Sequence, residues 1–90
     1  MILSKVTIVN KLGLHARASS KFVQLAKRFA SSIKLGPTEN ELVNAKSIMH
    51  IMTLAASKGT VLLLKVEGED EEAAFHALRT LIENRFDEGE

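Results

Sequence analysis

The sequence predicts an open-faced α/β sandwich, one four-stranded sheet with three helices on a single face, and three stretches carry that prediction. Val6-Thr7-Ile8-Val9 alternates with the period of two that marks a half-buried strand. From Ala16 the apolar residues space out, with Ala18, Phe22, Leu25, Ala26 and Phe29 recurring at three- and four-residue steps along one helix face. Thr60-Val61-Leu62-Leu63-Leu64-Lys65-Val66 is the most apolar strand-like run, which places it centrally in a sheet. The segments read strand, helix, strand, strand, helix, strand, helix, an order that puts all the helices on one side of the sheet.

The first strand runs from about Lys5 to Val9 and ends in the loop Asn10 to Gly13. The first helix ends at Ser31-Ser32, and its outer side carries Arg17, Lys21, Gln24 and Arg28 at helical spacing. Ile33-Lys34-Leu35, the turn Gly36-Pro37-Thr38-Glu39-Asn40 and the return strand Leu42-Val43 make a hairpin. Asn44 to Ser47 offers capping residues for a helix reaching to near Ala56, followed by the turn Ser57-Lys58-Gly59. Asp70 caps a last helix with Glu71 and Glu72 in its first turn, where the helix dipole favours acids, and with Ala74, Leu78, Leu81 and Ile82 facing inward.

Ninety residues, 46% of them apolar, suffice for a single domain, residues 1–90, with one modest core. No cysteine is present, so there is neither a disulfide framework nor a thiolate metal site, as suits a reducing cytoplasm. The first residues read neither as a secretory signal nor as a membrane span, and a cytoplasmic protein without membrane insertion is expected. A formal net charge of +1 provides no overall field for nucleic acid. An RNA-binding sandwich would need aromatic residues on its open sheet; the chain has no Tyr or Trp, and its four Phe fall in predicted helical segments. Residues 1–34 hold Lys5, Lys11, Arg17, Lys21, Lys27, Arg28 and Lys34 and no acid, while acids gather from Glu67 onward. One basic and one acidic surface are expected.

His15 sits where the strand period gives way to the helix period. A helix N-terminus presents unpaired N–H groups and the positive end of the dipole, so a phosphate built on His15 is favoured there. Arg17 adds a planar donor fork for the same anion. Both positive influences disfavour imidazolium and leave the ring a nucleophile. No carboxylate lies within the first 38 residues to activate water, which favours a reversible carrier over a hydrolase. His50 and His76 lack ligand-spaced companions and read as surface residues, so no metal or cofactor is expected.

The run Asn10-Lys11-Leu12-Gly13-Leu14-His15-Ala16-Arg17-Ala18-Ser19 resembles the active-site signature of the HPr family, the histidine-containing phosphocarriers of the bacterial sugar phosphotransferase system and of its nitrogen-related branch. Ala45-Lys46-Ser47-Ile48-Met49-His50-Ile51-Met52-Thr53-Leu54 is similar to that family's regulatory-serine helix, and Lys58-Gly59-Thr60 through Gly68-Glu69-Asp70-Glu71 to its last strand and helix. Arg85-Phe86-Asp87-Glu88 resembles the nitrogen-branch relative. One departure is Ala18, where the family usually has proline; alanine is a good helix former, and no ligand is lost.

The resemblance implies the strand order first-fourth-second-third, mostly antiparallel. It implies a phosphoryl group on Nδ1 of His15, held by Arg17 and by the backbone amides of Ala16 and Arg17. The implied donor is the phosphoenolpyruvate-dependent enzyme I, and the implied acceptor a histidine of an EIIA-type subunit. It also implies phosphorylation of Ser47 by HPr kinase/phosphorylase; a helix-capping hydroxyl is what the residues alone require there. The helix after Ser47 is apolar nearly all round, so Ile51 and Leu54 are assigned to the core and Ile48, Met49 and Met52 to the surface. With Lys21, Gln24, Lys27 and Arg28 these three form the expected docking face of a monomeric carrier. The alternative is a regulatory interaction module that keeps Ser47 and does not use His15 for transfer, or a carrier of the nitrogen branch.

Overall fold

The computed structural model describes residues 1–89. The strands are β1 (Ile2–Thr7), β2 (Ser32–Gly36), β3 (Val43–Asn44) and β4 (Val61–Glu67); the helices are α1 (Ala16–Ala26), α2 (Ile48–Met52) and α3 (Glu71–Glu83). The sheet order is β1-β4-β2-β3 with every neighbouring pair antiparallel. The apolar run read as central is flanked on both sides, Val6 pairing with Leu62 and Ile33 with Val66. Val6, Leu62, Leu64, Val66, Ile33 and Leu35 turn to one face and are buried, whereas Lys5, Thr7, Val61, Lys34 and Glu67 on the other are exposed. Phe22 and Val23 of α1, Ile51 of α2 and Ala74, Leu78 and Ile82 of α3 close over the buried face as one continuous cluster. Removing side chains such as Phe22 from water contributes roughly 1.5–3 kcal/mol each, which ties the helical layer to the sheet.

Two helices end earlier than their periodicity suggests. α1 stops at Ala26, and Arg28 and Phe29 donate to carbonyls only three residues back. The chain is drawn out of the helix because the Asp70 carboxylate accepts the N–H groups of Ala30 (2.8 Å) and Ser31 (2.9 Å) and the Ser31 hydroxyl (2.5 Å). Phe29 thus packs on the core from a turn. α2 gives way after Met52 to three-residue turns through Leu54 and Ala55, and Ala55 takes a left-handed φ of 47°. Phe86 likewise lies in a short 3₁₀ turn, Arg85–Asp87, beyond α3.

Asp70 corrects the sequence reading in a second way. It stands at the N-cap of α3 but makes no side-chain cap there; Glu71 instead accepts the Gly68 N–H at 3.1 Å. The Ser31 hydroxyl, then the Ala30 N–H, hold the Asp70 carboxyl below the usual carboxylate range. A depressed carboxyl contributes stability that is present above its unfolded value and lost as pH falls through the folded one. Asp70→Asn is therefore expected to lower Tm at pH 7 and to flatten the fall of Tm between about pH 4 and pH 2. Thermal melts across that range check it; an acid limb identical to that of the parent chain would show that the clasp does not titrate with unfolding.

Candidate functional site at the amino end of the first helix

The loop before α1 is pinned from both sides. Gly13 has φ +66°, and Leu14, itself buried, donates its N–H to the Ala56 carbonyl at 2.8 Å. The buried Asn10 donates its side-chain amide to the Gly13 carbonyl at 2.8 Å, and the Ser19 hydroxyl donates to the Leu14 carbonyl at 3.0 Å. His15 follows as the N-cap of α1 in extended backbone, φ −75° and ψ 178°. Its Nδ1 accepts the N–H of Arg17 at 3.3 Å, so the ring itself does the work of a capping side chain. A nitrogen that accepts carries no proton, which makes Nε2 the protonated one.

The Nε2–H donates to Oε2 of Glu88 at 2.7 Å, and Oε1 of Glu88 accepts from the Asn10 amide at 3.2 Å. The ring therefore stands between the positive end of α1 and a carboxylate, where the sequence had suggested positive neighbours alone. His15 remains 29% exposed at its side chain. Arg17 is exposed and opens with His15, Lys21, Asp87 and Glu88 onto a single cleft; Ala16, also exposed, begins the helix there, where its N–H has no intrahelical acceptor.

Lys21 is half-buried and donates to the Phe86 carbonyl at 2.8 Å, so it ties down the segment after α3. Gln24 and Arg28 share a shallow groove with Lys21, and Asp87 borders it. The expected separation of a basic from an acidic surface is thus overturned at this face, because the turn after α3 brings Asp87 and Glu88 back onto α1. Lys27, exposed at the C-cap of α1, lies outside that groove lining.

Ser47 is the N-cap of α2, its hydroxyl accepting the His50 N–H at 3.3 Å. Ile51 is fully buried and Leu54 half-buried, while Ile48, Met49 and Met52 are exposed, Met49 to 80%. His50 and His76 are exposed, and no group of His, Asp and Glu among the described residues could hold a metal ion. Among the same residues no helix is long and apolar enough to cross a membrane.

Asn10 and Glu88 are the site residues that sequence reasoning missed. Asn10 heads the signature run and could have been found as a turn asparagine; Glu88 pairs with a residue 73 positions away, and no local pattern marks such a contact.

The chain matches the family described as PTS HPr component phosphorylation site over residues 2–84. It is 55% identical to phosphocarrier protein HPr of Pseudomonas aeruginosa over 86 residues, 96% of each chain, and 52% identical to that of Xylella fastidiosa over 88 residues, 98% of each. The crystal structure of HPr from Thermoanaerobacter tengcongensis superposes with a TM-score of 0.91 at 50% identity, covering 98% of both chains. HPr from Bacillus anthracis gives 0.83 at 40% identity over 90% of this chain and 95% of that one. Identity at this level along the whole length, on a shared fold, means that the chain belongs to the HPr family, the phosphocarrier proteins of the phosphotransferase system.

Proposed function

We propose that Nδ1 of His15 accepts a phosphoryl group from enzyme I and passes it to a histidine of an EIIA-type subunit, one domain of residues 1–90 carrying the whole task. The observation that carries this reading is the lone pair of Nδ1, directed at the first turn of α1 by the Arg17 N–H. In transfer, Nδ1 attacks phosphorus in line, the new N–P bond forms as the donor's bond to phosphorus breaks, and that electron pair returns to the donor. The Arg17 amide then donates to a phosphoryl oxygen instead of to nitrogen, joined by the Ala16 amide and the Arg17 guanidinium. Nothing has to close over the site, since donor and acceptor approach the same half-exposed ring.

A carrier must also avoid losing its cargo to water. Among the described residues Glu88 is the carboxylate hydrogen-bonded to the ring, and its two oxygens are engaged by Nε2 and by Asn10, on the far side from Nδ1. It is therefore badly placed to serve as a base for water attacking phosphorus. Incubation with phosphoenolpyruvate and enzyme I tests the reading: acid-labile phosphate on His15 is expected, and its absence overturns it.

Lys21, Gln24, Lys27 and Arg28 with Ile48, Met49 and Met52 form the docking face in this proposal, supported by the exposure of the three apolar side chains. Met49→Glu is expected to weaken binding to enzyme I by about 10-fold or more, read by calorimetry, because a charge would be buried where a flexible apolar chain fits. Unchanged affinity would take Met49 out of the interface. Ser47 lies beside this cluster, so its phosphorylation by an HPr kinase/phosphorylase would place a dianion at the edge of the docking face and weaken acidic partners.

A further inference from the structure

We propose that Glu88 is a positioning residue for His15, holding the ring proton on Nε2 and opposing the positive charge that the ring acquires on phosphoryl transfer; this rests on the reading of His15 as phosphoryl acceptor. The residues leading to Glu88 are shaped to deliver it. Arg85, Phe86 and Asp87 adopt successive left-handed φ angles of 55°, 52° and 61°, a conformation that side chains disfavour and that persists only where surroundings impose it. The imposing contacts are the fully buried Phe86 ring, the Lys21 ammonium on the Phe86 carbonyl, and Asn84, whose side chain donates to Asp87 at 2.6 Å. Glu88 arrives with Oε2 on Nε2 and Oε1 on the buried Asn10. This segment lies past residue 84, where the family match stops.

The chemistry follows from counting charge. In the tautomer that these contacts require, Nε2 carries the proton facing Glu88 and Nδ1 keeps a lone pair facing the Arg17 N–H. When Nδ1 bonds to phosphorus and the donor's bond breaks, the ring becomes a cation, and its charge is shared with Nε2. A carboxylate 2.7 Å from Nε2 lowers the energy of that cation. The transferred phosphoryl group sits on the other nitrogen, against the amides and Arg17, so the two anions are kept apart by the width of the ring. The logic is that of a carboxylate orienting a catalytic imidazole from behind.

The experiment compares the full chain with Glu88→Gln and Glu88→Ala, each checked for an unchanged far-ultraviolet spectrum. In quenched-flow uptake from enzyme I and phosphoenolpyruvate, both variants are expected to load His15 about 10-fold to 100-fold more slowly at saturating enzyme I. In the unphosphorylated parent chain the Hε2 proton of His15 is expected as a resonance protected from water exchange, and it is expected to vanish in Glu88→Ala. A parent-like or faster uptake in either variant overturns the proposal and leaves His15 as the acceptor. Failure of the parent chain to load His15 at all, with the Hε2 resonance present, instead overturns the carrier reading, and the role of Glu88 in transfer with it.

Discussion

His15→Ala is expected to take up no phosphoryl group from enzyme I and phosphoenolpyruvate, while remaining folded. No other side chain can substitute: His50 and His76 are exposed on other elements, and neither lies at the amino end of α1. The substitution also removes a helix cap, since Nδ1 accepts the Arg17 N–H. Loss of such a cap costs about 1 kcal/mol, which in a domain of this size lowers Tm by roughly 4–8 °C. Uptake assays and a thermal melt on one preparation read both effects. Phosphate on the variant at the parent level would place the acceptor elsewhere; a collapse of Tm would mean that His15 is mainly a structural residue.

Gly13→Ala is expected to have the largest effect on stability and to slow phosphoryl uptake without touching a reacting atom. At φ +66° any side chain is strained, and here the added methyl would lie 2.3 Å from the Ala56 carbonyl oxygen and 2.8 Å from the Ser57 Cα. That oxygen also accepts the Leu14 N–H, so it cannot yield without breaking the bond that holds the residue before His15. Left-handed strain and forced backbone movement together cost about 2–4 kcal/mol, lowering Tm by roughly 10–25 °C. Measured well below that melt, uptake is expected to fall about 10-fold to 100-fold, since displacement of a reacting group by an ångström is sufficient for that. Full-speed uptake in a folded variant would show that the loop tolerates movement without consequence for His15.

Much of the architecture is legible in the chain because the buried faces repeat locally. Val6 in β1 and Ile8 just past its end, Phe22 and Ala26 in α1, and Ala74, Leu78 and Ile82 in α3 follow the local periods and are buried. The helix ends are less legible, since distant groups decide them: Asp70 captures Ala30 and Ser31 across a separation of about 40 residues and unwinds the end that Phe29 would otherwise have extended. The candidate site divides in the same manner. The histidine, its following amide and Arg17 are neighbours in sequence, whereas Asn10 and Glu88 meet through the turn after α3. The strand order came from resemblance, as alternation within a strand does not name its neighbour.

The placement of β1 beside β4 has a consequence for synthesis on the ribosome. The only strand pair close in sequence is β2 with β3; β1 waits with both edges bare until Val61–Glu67 has left the exit tunnel, and it closes a loop of more than 50 residues when it docks. During that interval the apolar side of α1 has no finished sheet to cover, and the nascent chain is at its most prone to aggregate. Any message cut short before β4 yields a polypeptide with an intact His15 that lacks both the central strand of the sheet and the Glu88 carboxylate on its ring.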